Sequence, residues 1–253
     1  MKKMLIVMVA FFAVCGFNYT DLENSVGKEI KEHLKQQLTQ TIQNRGELNS
    51  KLFKAAREGN SELIIQLVKY GADVNARDEH KQTPLMYASF FGKEDACKTL
   101  IILGADVNAK DMQNDTALFV ATTSKVVVVL MKNNADINAQ DIYGRTPLMY
   151  ALETTKVDVA FTLSLYTPNL DLTDQRGSTA VMYMATNENF SVEEPEHHNS
   201  QAILEKYQID ETFDHIMRSR DCTLKNKLKQ TALDLAKLTN NQGIAEKIES
   251  VCK

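Results

Sequence analysis

The chain has 253 residues, which is enough for one or two ordinary domains. Hydrophobic residues make up 43% and charged residues 25% of it, a balance that excludes wholesale disorder. The net charge is −4, from 33 acidic and 29 basic side chains, so nothing predicts the basic face of a nucleic-acid-binding protein.

Residues 1–16 have the pattern of a secretory signal peptide. Lys2 and Lys3 precede an uncharged apolar run over residues 4–14, which Cys15 and a glycine follow. A helix that crosses a bilayer needs about 20 residues, so this run predicts export and no spanning segment. The alternative is a buried N-terminal helix.

The end of this run leaves two kinds of processing open. Cys15 resembles the acceptor cysteine of a bacterial lipoprotein, but Val14 stands where that motif has Gly, Ala or Ser. The protein is therefore either lipidated at Cys15 or cleaved near Gly16. Both predict an exported bacterial protein that is periplasmic, on the outer surface or secreted.

An amphipathic helix is predicted within residues 18–47. Five apolar side chains recur every four residues and would share one helix face: Val26, Ile30, Leu34, Leu38 and Ile42. The helix either covers the first unit of the segment that follows or binds a partner, including a second copy of the chain.

The rest of the chain repeats itself. Residues 71–76, Gly-Ala-Asp-Val-Asn-Ala, return 33 residues later at 104–109, and a variant begins at Asn134. Each copy precedes a threonine that opens a predicted helix. These helix starts are Thr83-Pro84-Leu85, Thr116-Ala117-Leu118, Thr146-Pro147-Leu148, Thr179-Ala180-Val181 and Thr231-Ala232-Leu233.

This pattern resembles the ankyrin-repeat family, whose unit is a β-turn and two antiparallel helices over 33 residues with a T-P-L-H-x-A signature. The resemblance covers residues 48–253 and implies an all-α solenoid of about six units. The units are predicted near 50–82, 83–115, 116–145, 146–178, 179–230 and 231–253, the last being a C-terminal cap.

The recurring residues suit their positions. A threonine hydroxyl caps the free N–H groups of a helix start. Four aspartates lie five residues before their threonines, where a short carboxylate can accept turn N–H groups: Asp78, Asp111, Asp141 and Asp174.

Three departures from the repeat are informative. The third unit is three residues short, and we expect the loss between its two helices, with Val126–Val129 in the core. The fifth unit has an insertion over about 187–206, after which its second helix is expected near Tyr207–Arg218. The signature histidine is replaced by Met86, Phe119, Met149, Met182 and Asp234, which predicts packing in place of its hydrogen bonds.

The insertion contains Glu193-Glu194-Pro195-Glu196-His197-His198, which raises the question of a metal site. No spacing within it places ligands on one helix face, so a solvated loop is the preferred interpretation. We predict no metal and no cofactor.

Three cysteines follow Cys15. Cys97 lies at an apolar position of a second helix and is expected in the core. Cys222 and Cys252 lie about one repeat apart in the sequence. One full repeat brings the chain back next to the point where that repeat began, so the two cysteines could approach each other. A disulfide between them is a prediction that an oxidising compartment would permit.

The family binds proteins through its turns, here called fingers, and through the concave face of its first helices. Carried over to this sequence, the resemblance implies a partner-binding surface made of Arg77, Glu79, His80, Phe90, Phe91, Lys110, Met112, Gln113, Ile142, Tyr143, Arg145, Gln175 and Arg176. Aromatic, Met and Arg side chains are enriched in interface cores. We therefore expect an anchor patch of Phe90, Phe91, Met112, Ile142 and Tyr143, unless some of these rings fold back onto neighbouring repeats.

The leading functional hypothesis is a non-enzymatic module that binds another protein. The alternatives are a structural envelope component tethered by lipid, which self-associates through residues 18–47, and an enzyme with a metal site at 193–198. Against an enzyme, the sequence has no phosphate loop, nucleophile elbow or zinc motif, and its five histidines are scattered.

Overall fold

The computed structural model describes residues 28–154, 156–187, 211–217 and 222–252. The predicted signal peptide with Cys15, most of the insertion and the cluster at 193–198 lie outside these residues. The described secondary structure is helical, with turns between the helices. The helices are α1 (Lys28–Glu58), α2 (Ser61–Lys69), α3 (Pro84–Phe90), α4 (Glu94–Ile102), α5 (Ser124–Lys132), α6 (Pro147–Glu153), α7 (Val157–Ser164), α8 (Ala180–Thr186), α9 (residues 211–217), α10 (Ala232–Leu238) and α11 (Gln242–Val251).

The helices form two layers. The first helices of consecutive units contact one another from α1 to α3 and from α6 through α8 to α10, while the second helices contact from α2 through α4 and α5 to α7. One apolar core runs between the layers from Leu52 to Ile248. Each unit buries its apolar face against its neighbours, as expected of a solenoid.

The helix at the N-terminal end continues into the first unit. The sequence predicted a boundary at residues 47/48, but α1 runs unbroken from Lys28 to Glu58. Two side chains tie it to the turn after α2: Arg45 pairs with Asp73 at 3.3 Å, and the Asn49 amide oxygen accepts the Asp73 N–H at 2.8 Å. These contacts favour the covering role for this end of α1.

A ladder of asparagine side chains joins successive units. The Asn75 Oδ1 atom accepts the Asp106 N–H, and Asn108 and Asn138 accept the corresponding N–H groups of the next units, each at 2.8 Å. Asn49 makes the same bond one unit earlier, from a helix. The ladder satisfies backbone donors that the turns would otherwise leave unpaired.

Four of the five residues that replace the signature histidine are buried, as predicted: Met86, Phe119, Met149 and Met182. The Met86 and Met149 sulfurs accept the N–H groups of Thr83 and Thr146 at 3.3 and 3.4 Å, and Asp234 does the same for Thr231 at 2.9 Å. Three of the replacements therefore also accept a hydrogen bond from the threonine at the start of their own helix.

The short third unit loses its residues from the first helix. We expected the loss between the two helices, but residues 117–120 form a turn and no α-helix, and α5 starts at Ser124. In this tight turn the Phe119 N–H bonds to the Thr116 carbonyl oxygen at 3.0 Å, and the buried Thr116 hydroxyl has no partner in the described residues. Val126, Val127 and Val129 are buried as predicted, and Val128 is half-buried.

Candidate interaction surface

Each finger is held rigid by one side-chain oxygen, which is a carboxylate in four of the five fingers. The fingers are residues 77–82, 110–115, 140–145, 173–178 and 225–230. In the first four, the Oδ1 atom of the turn aspartate accepts two backbone N–H groups at 2.7–2.9 Å, as the sequence predicted. In the fifth, Asn226 accepts them at 2.9 and 3.0 Å. Asn226 lies five residues before Thr231, and this spacing could have identified it as the turn residue of the fifth finger.

The fingers are joined side by side through their backbones. Residues Met112, Ile142, Gln175 and Lys227 each donate an N–H to a carbonyl oxygen of the preceding finger, at 2.8–3.0 Å. Because every tip is bonded to the next one, side chains at the tips project from a continuous and preorganised row. A preorganised surface loses little conformational entropy when it binds.

The five residues of the anchor patch are exposed. Met112 and Tyr143 are 54% and 53% exposed on neighbouring fingers, beside Ile142. Phe90 and Phe91 lie at the other end of α3, about 10 Å from its N-cap, given the rise of a seven-residue helix. The patch therefore has two parts: the tips of the second and third fingers, and an aromatic pair across the concave face.

A groove of about 290 Å³ lies beside the aromatic pair. It is lined by Gln82, Met86, Tyr87, Phe90, Phe91 and Val120. Val120 belongs to the turn that replaces the first helix of the third unit. The roles of Tyr87 and Val120 were not predicted from the sequence. For Val120 the reason is that the repeat spacing does not show which helix of the short third unit is replaced by a turn.

The aromatic side chains of this groove are held in place. The Tyr87 hydroxyl donates to Asp78 at 3.0 Å, and its ring packs edge-on against Phe53 at 5.3 Å. Burial and the Asp78 carboxylate raise the pKa of Tyr87, which keeps this donor protonated. The Phe91 ring contacts Phe90 at 5.2 Å and lies under the Arg57 guanidinium at 5.0 Å.

Three residues predicted to bind the partner also bond within the stack. Arg145 is mostly buried, pairs with Asp141 and Glu153, and lies 5.1 Å from the Tyr143 and Tyr150 rings. Arg77 donates to the Lys110 carbonyl oxygen, and Gln175 donates to that of Ile142 at 2.7 Å. Long polar side chains at finger positions can bridge to the next finger. Arg77 and Gln175 are nevertheless exposed, as are the other predicted polar residues: Glu79, His80, Lys110, Gln113 and Arg176.

Asp115 is an unusual carboxylate at the end of the second finger. Its Oδ1 atom is buried and has no hydrogen-bond partner in the described residues. Burial, with Asp111 and Asp141 nearby, raises the pKa of Asp115 to about 7. The corresponding residues of the neighbouring fingers are the uncharged Gln82 and Arg145, whose charge is paired with Asp141 and Glu153, so the sequence register gave no warning of an unpaired buried charge.

The described residues hold no group of three histidine, cysteine or acidic side chains that could bind a metal ion. Cys97 is fully buried, as expected, and burial raises the pKa of its thiol to about 12, which makes it a poor nucleophile.

Cys222 and Cys252 form a disulfide with their Cα atoms 5.9 Å apart. No described helix has the length and apolarity needed to cross a bilayer.

Comparison with known proteins identifies the repeat. The family model for ankyrin repeats (3 copies) matches residues 25–111 and 102–170. The chain is also similar to an ankyrin repeat domain-containing protein, SAT10, from the fungus Stachybotrys chartarum, with 41% identity over 46 residues. That match covers 18% of this chain and only 2% of the fungal protein, so the likeness extends to the repeat alone.

Proposed function

The chain belongs to the ankyrin-repeat family, and on that premise we propose that it is a non-enzymatic module that binds one protein partner through its fingertips and concave face. Ankyrin repeats are in general protein–protein interaction modules. The observation that carries the proposal is the exposure of Phe90, Met112 and Tyr143 on a backbone that side-chain and interfinger hydrogen bonds hold rigid. Large apolar and aromatic side chains on such a surface supply most of the energy of an interface.

Changing Phe90, Met112 and Tyr143 together to Ala should abolish capture of the partner while the helical content stays unchanged. Truncating interface anchors costs about 2 kcal/mol or more each, and that corresponds to at least a hundredfold loss of affinity for three. The measurement is recovery of the cross-linked partner from the native host by mass spectrometry, with circular dichroism to verify folding.

The matched control changes Ile65, Tyr70 and Ile102 to Ala. These residues are also exposed, at 49%, 73% and 83%, but they lie on or at the end of the second helices. Capture should survive in this variant. Capture that survives in the first variant and fails in the control would place the binding site on the other layer.

We further propose that the protein works outside the cytoplasm of a bacterium, as a periplasmic, surface or secreted protein. The lysine pair and the apolar run at residues 4–14 support this, and the Cys222–Cys252 bond suits an oxidising compartment. The mass of the mature N-terminus tests it. A chain that begins near residue 15 or 17 agrees with export, a lipid mass on Cys15 identifies the tethered form, and retention of Lys2 contradicts export.

A further inference from the structure

A second groove lies between the fourth and fifth fingers. Its volume is about 500 Å³, and its lining includes Met182 and Tyr183 from α8, Leu235 from α10, and the finger residues Arg176, Lys227 and Leu228. Of the residues that line the groove, Arg176 and Gln175 belong to the partner-binding surface predicted from the sequence.

The floor of this groove is apolar. Met182 is buried, Tyr183 and Leu235 are half-buried, and Leu228 projects from the fifth finger with 77% of its surface exposed. An exposed leucine beside a half-buried one leaves apolar surface in water that a large apolar side chain could cover.

The rim of the groove is cationic. The Lys227 N–H donates to the Arg176 carbonyl oxygen at 2.8 Å, which sets the two tips side by side. Both side chains are exposed, and Lys225 and Lys229 are exposed on the same finger as Lys227. Neither Arg176 nor Lys227 has an ion-pair partner within the described part of the chain.

No carboxylate of these two fingers offsets that charge at the surface. Asp174 is the one acidic residue among residues 173–178 and 225–230. It is buried, and it accepts the N–H groups of Arg176 and Ser178 and the Tyr183 hydroxyl at 2.7–2.9 Å. In the fifth finger the turn residue is the neutral Asn226. These two fingers of a chain with a net charge of −4 thus carry four exposed basic side chains, Arg176, Lys225, Lys227 and Lys229. Two carboxylates lie near them: Asp234 interacts with Lys225, and Glu153 lines an adjoining groove with Arg176.

From this arrangement we propose that the groove between the fourth and fifth fingers binds an acidic peptide segment of the partner. A large apolar side chain of the segment packs between Met182, Tyr183 and Leu235, and flanking carboxylates pair with Arg176 and Lys227. Arg offers two parallel donors to a carboxylate, which gives such a pair direction as well as charge. The apolar floor favours a peptide over a nucleic acid. The inference depends on the proposed function, because it assumes that the finger side of the stack is the binding side.

The test is a selection from a random 12-residue peptide library displayed on phage, with the full mature chain as bait. Selected peptides should be rich in Asp and Glu around one large apolar residue. Affinity of the best peptide, measured by fluorescence anisotropy, should fall at least tenfold in R176E/K227E, because the reversal sets like charges against each other. Affinity should also fall as salt is raised.

The control variant K51E/K125E makes the same charge change at exposed residues outside the groove and should bind the peptide as the native protein does. The variant with Phe90, Met112 and Tyr143 changed to Ala should also keep the peptide, so a failure of the anchor patch and a failure of this groove give different results. Selected peptides that are neutral or basic, or that bind R176E/K227E equally well, overturn the proposal. Binding of an oligonucleotide in place of the peptides also overturns it. Peptide binding that appears only in the variant E193Q/E194Q/E196Q overturns it too, because the chain's own acidic segment would then be the occupant of the groove.

Discussion

Replacing both Cys222 and Cys252 with Ser should lower the free energy of unfolding of the C-terminal cap by about 3–4 kcal/mol. The bond closes a loop with a sequence separation of 30 residues, and a cross-link of that length removes this much chain entropy from the unfolded state. Because each unit of a solenoid contacts only its neighbours, the loss should be concentrated in α10 and α11. Hydrogen exchange of the amides from Ile244 to Cys252 measures it directly.

Dithiothreitol provides the matched control for the disulfide. It should reproduce the faster exchange in the native protein and should leave the double serine variant unchanged, since that variant has no bond to reduce. Equal exchange of the native protein with and without reductant would contradict a stabilising bond. Cys97 is fully buried and lies in α4, so its thiol does not affect the hydrogen exchange of α10 and α11 that is compared with and without reductant.

Changing Asp115 to Asn should stabilise the protein at pH 8 by roughly 2–4 kcal/mol and have little effect near pH 4. This range is the full effect of the raised pKa reduced for solvent screening, because the side chain is only half-buried. The folded protein holds the Asp115 proton up to pH about 7, whereas the unfolded chain releases it near its ordinary pKa of 3.8. Between these values the folded state binds more protons, so the free energy of unfolding falls as the pH rises and levels off above pH 7. Asn keeps the shape of the side chain without the buried charge.

Urea unfolding of both proteins at pH 5 and pH 8 measures this difference. The variant Glu79→Gln serves as the control, because Glu79 is an exposed acidic residue of the first finger. Its replacement should change the free energy of unfolding by about the same amount at pH 5 and at pH 8. If Asp115→Asn is no more stable relative to the native protein at pH 8 than at pH 5, the buried carboxylate is not the source of the pH dependence.

The sequence was sufficient for features that repeat. The recurrence of Gly-Ala-Asp and of the threonine helix starts located the units, and the five-residue spacing from Asp78 to Thr83 identified the turn carboxylates. The approach of Cys222 to Cys252 also follows from one repeat returning the chain to its own start. Such features depend on local geometry that every unit shares.

Features that depend on a neighbouring unit could not be predicted in the same way. Arg145 is an exposed finger position by register, but Glu153 on α6 and Asp141 in its own turn capture its side chain. The burial of Asp115 beside Asp111 and Asp141 depends on three-dimensional contacts across two fingers. Val120, which lines the groove beside Phe90, belongs to the turn that stands in place of the third unit's first helix. A deletion count alone did not say which helix would be affected.

Site-specific photocross-linking in the native host distinguishes binding through the fingers and the concave face from binding through the second helices. A photoreactive amino acid replaces Met112 on the second finger or Ile102 on α4; both positions are exposed and apolar, at 54% and 83%. A protein adduct that forms from position 112 and not from position 102 is the result we predict. An adduct that forms from position 102 alone would contradict binding through the fingers and the concave face.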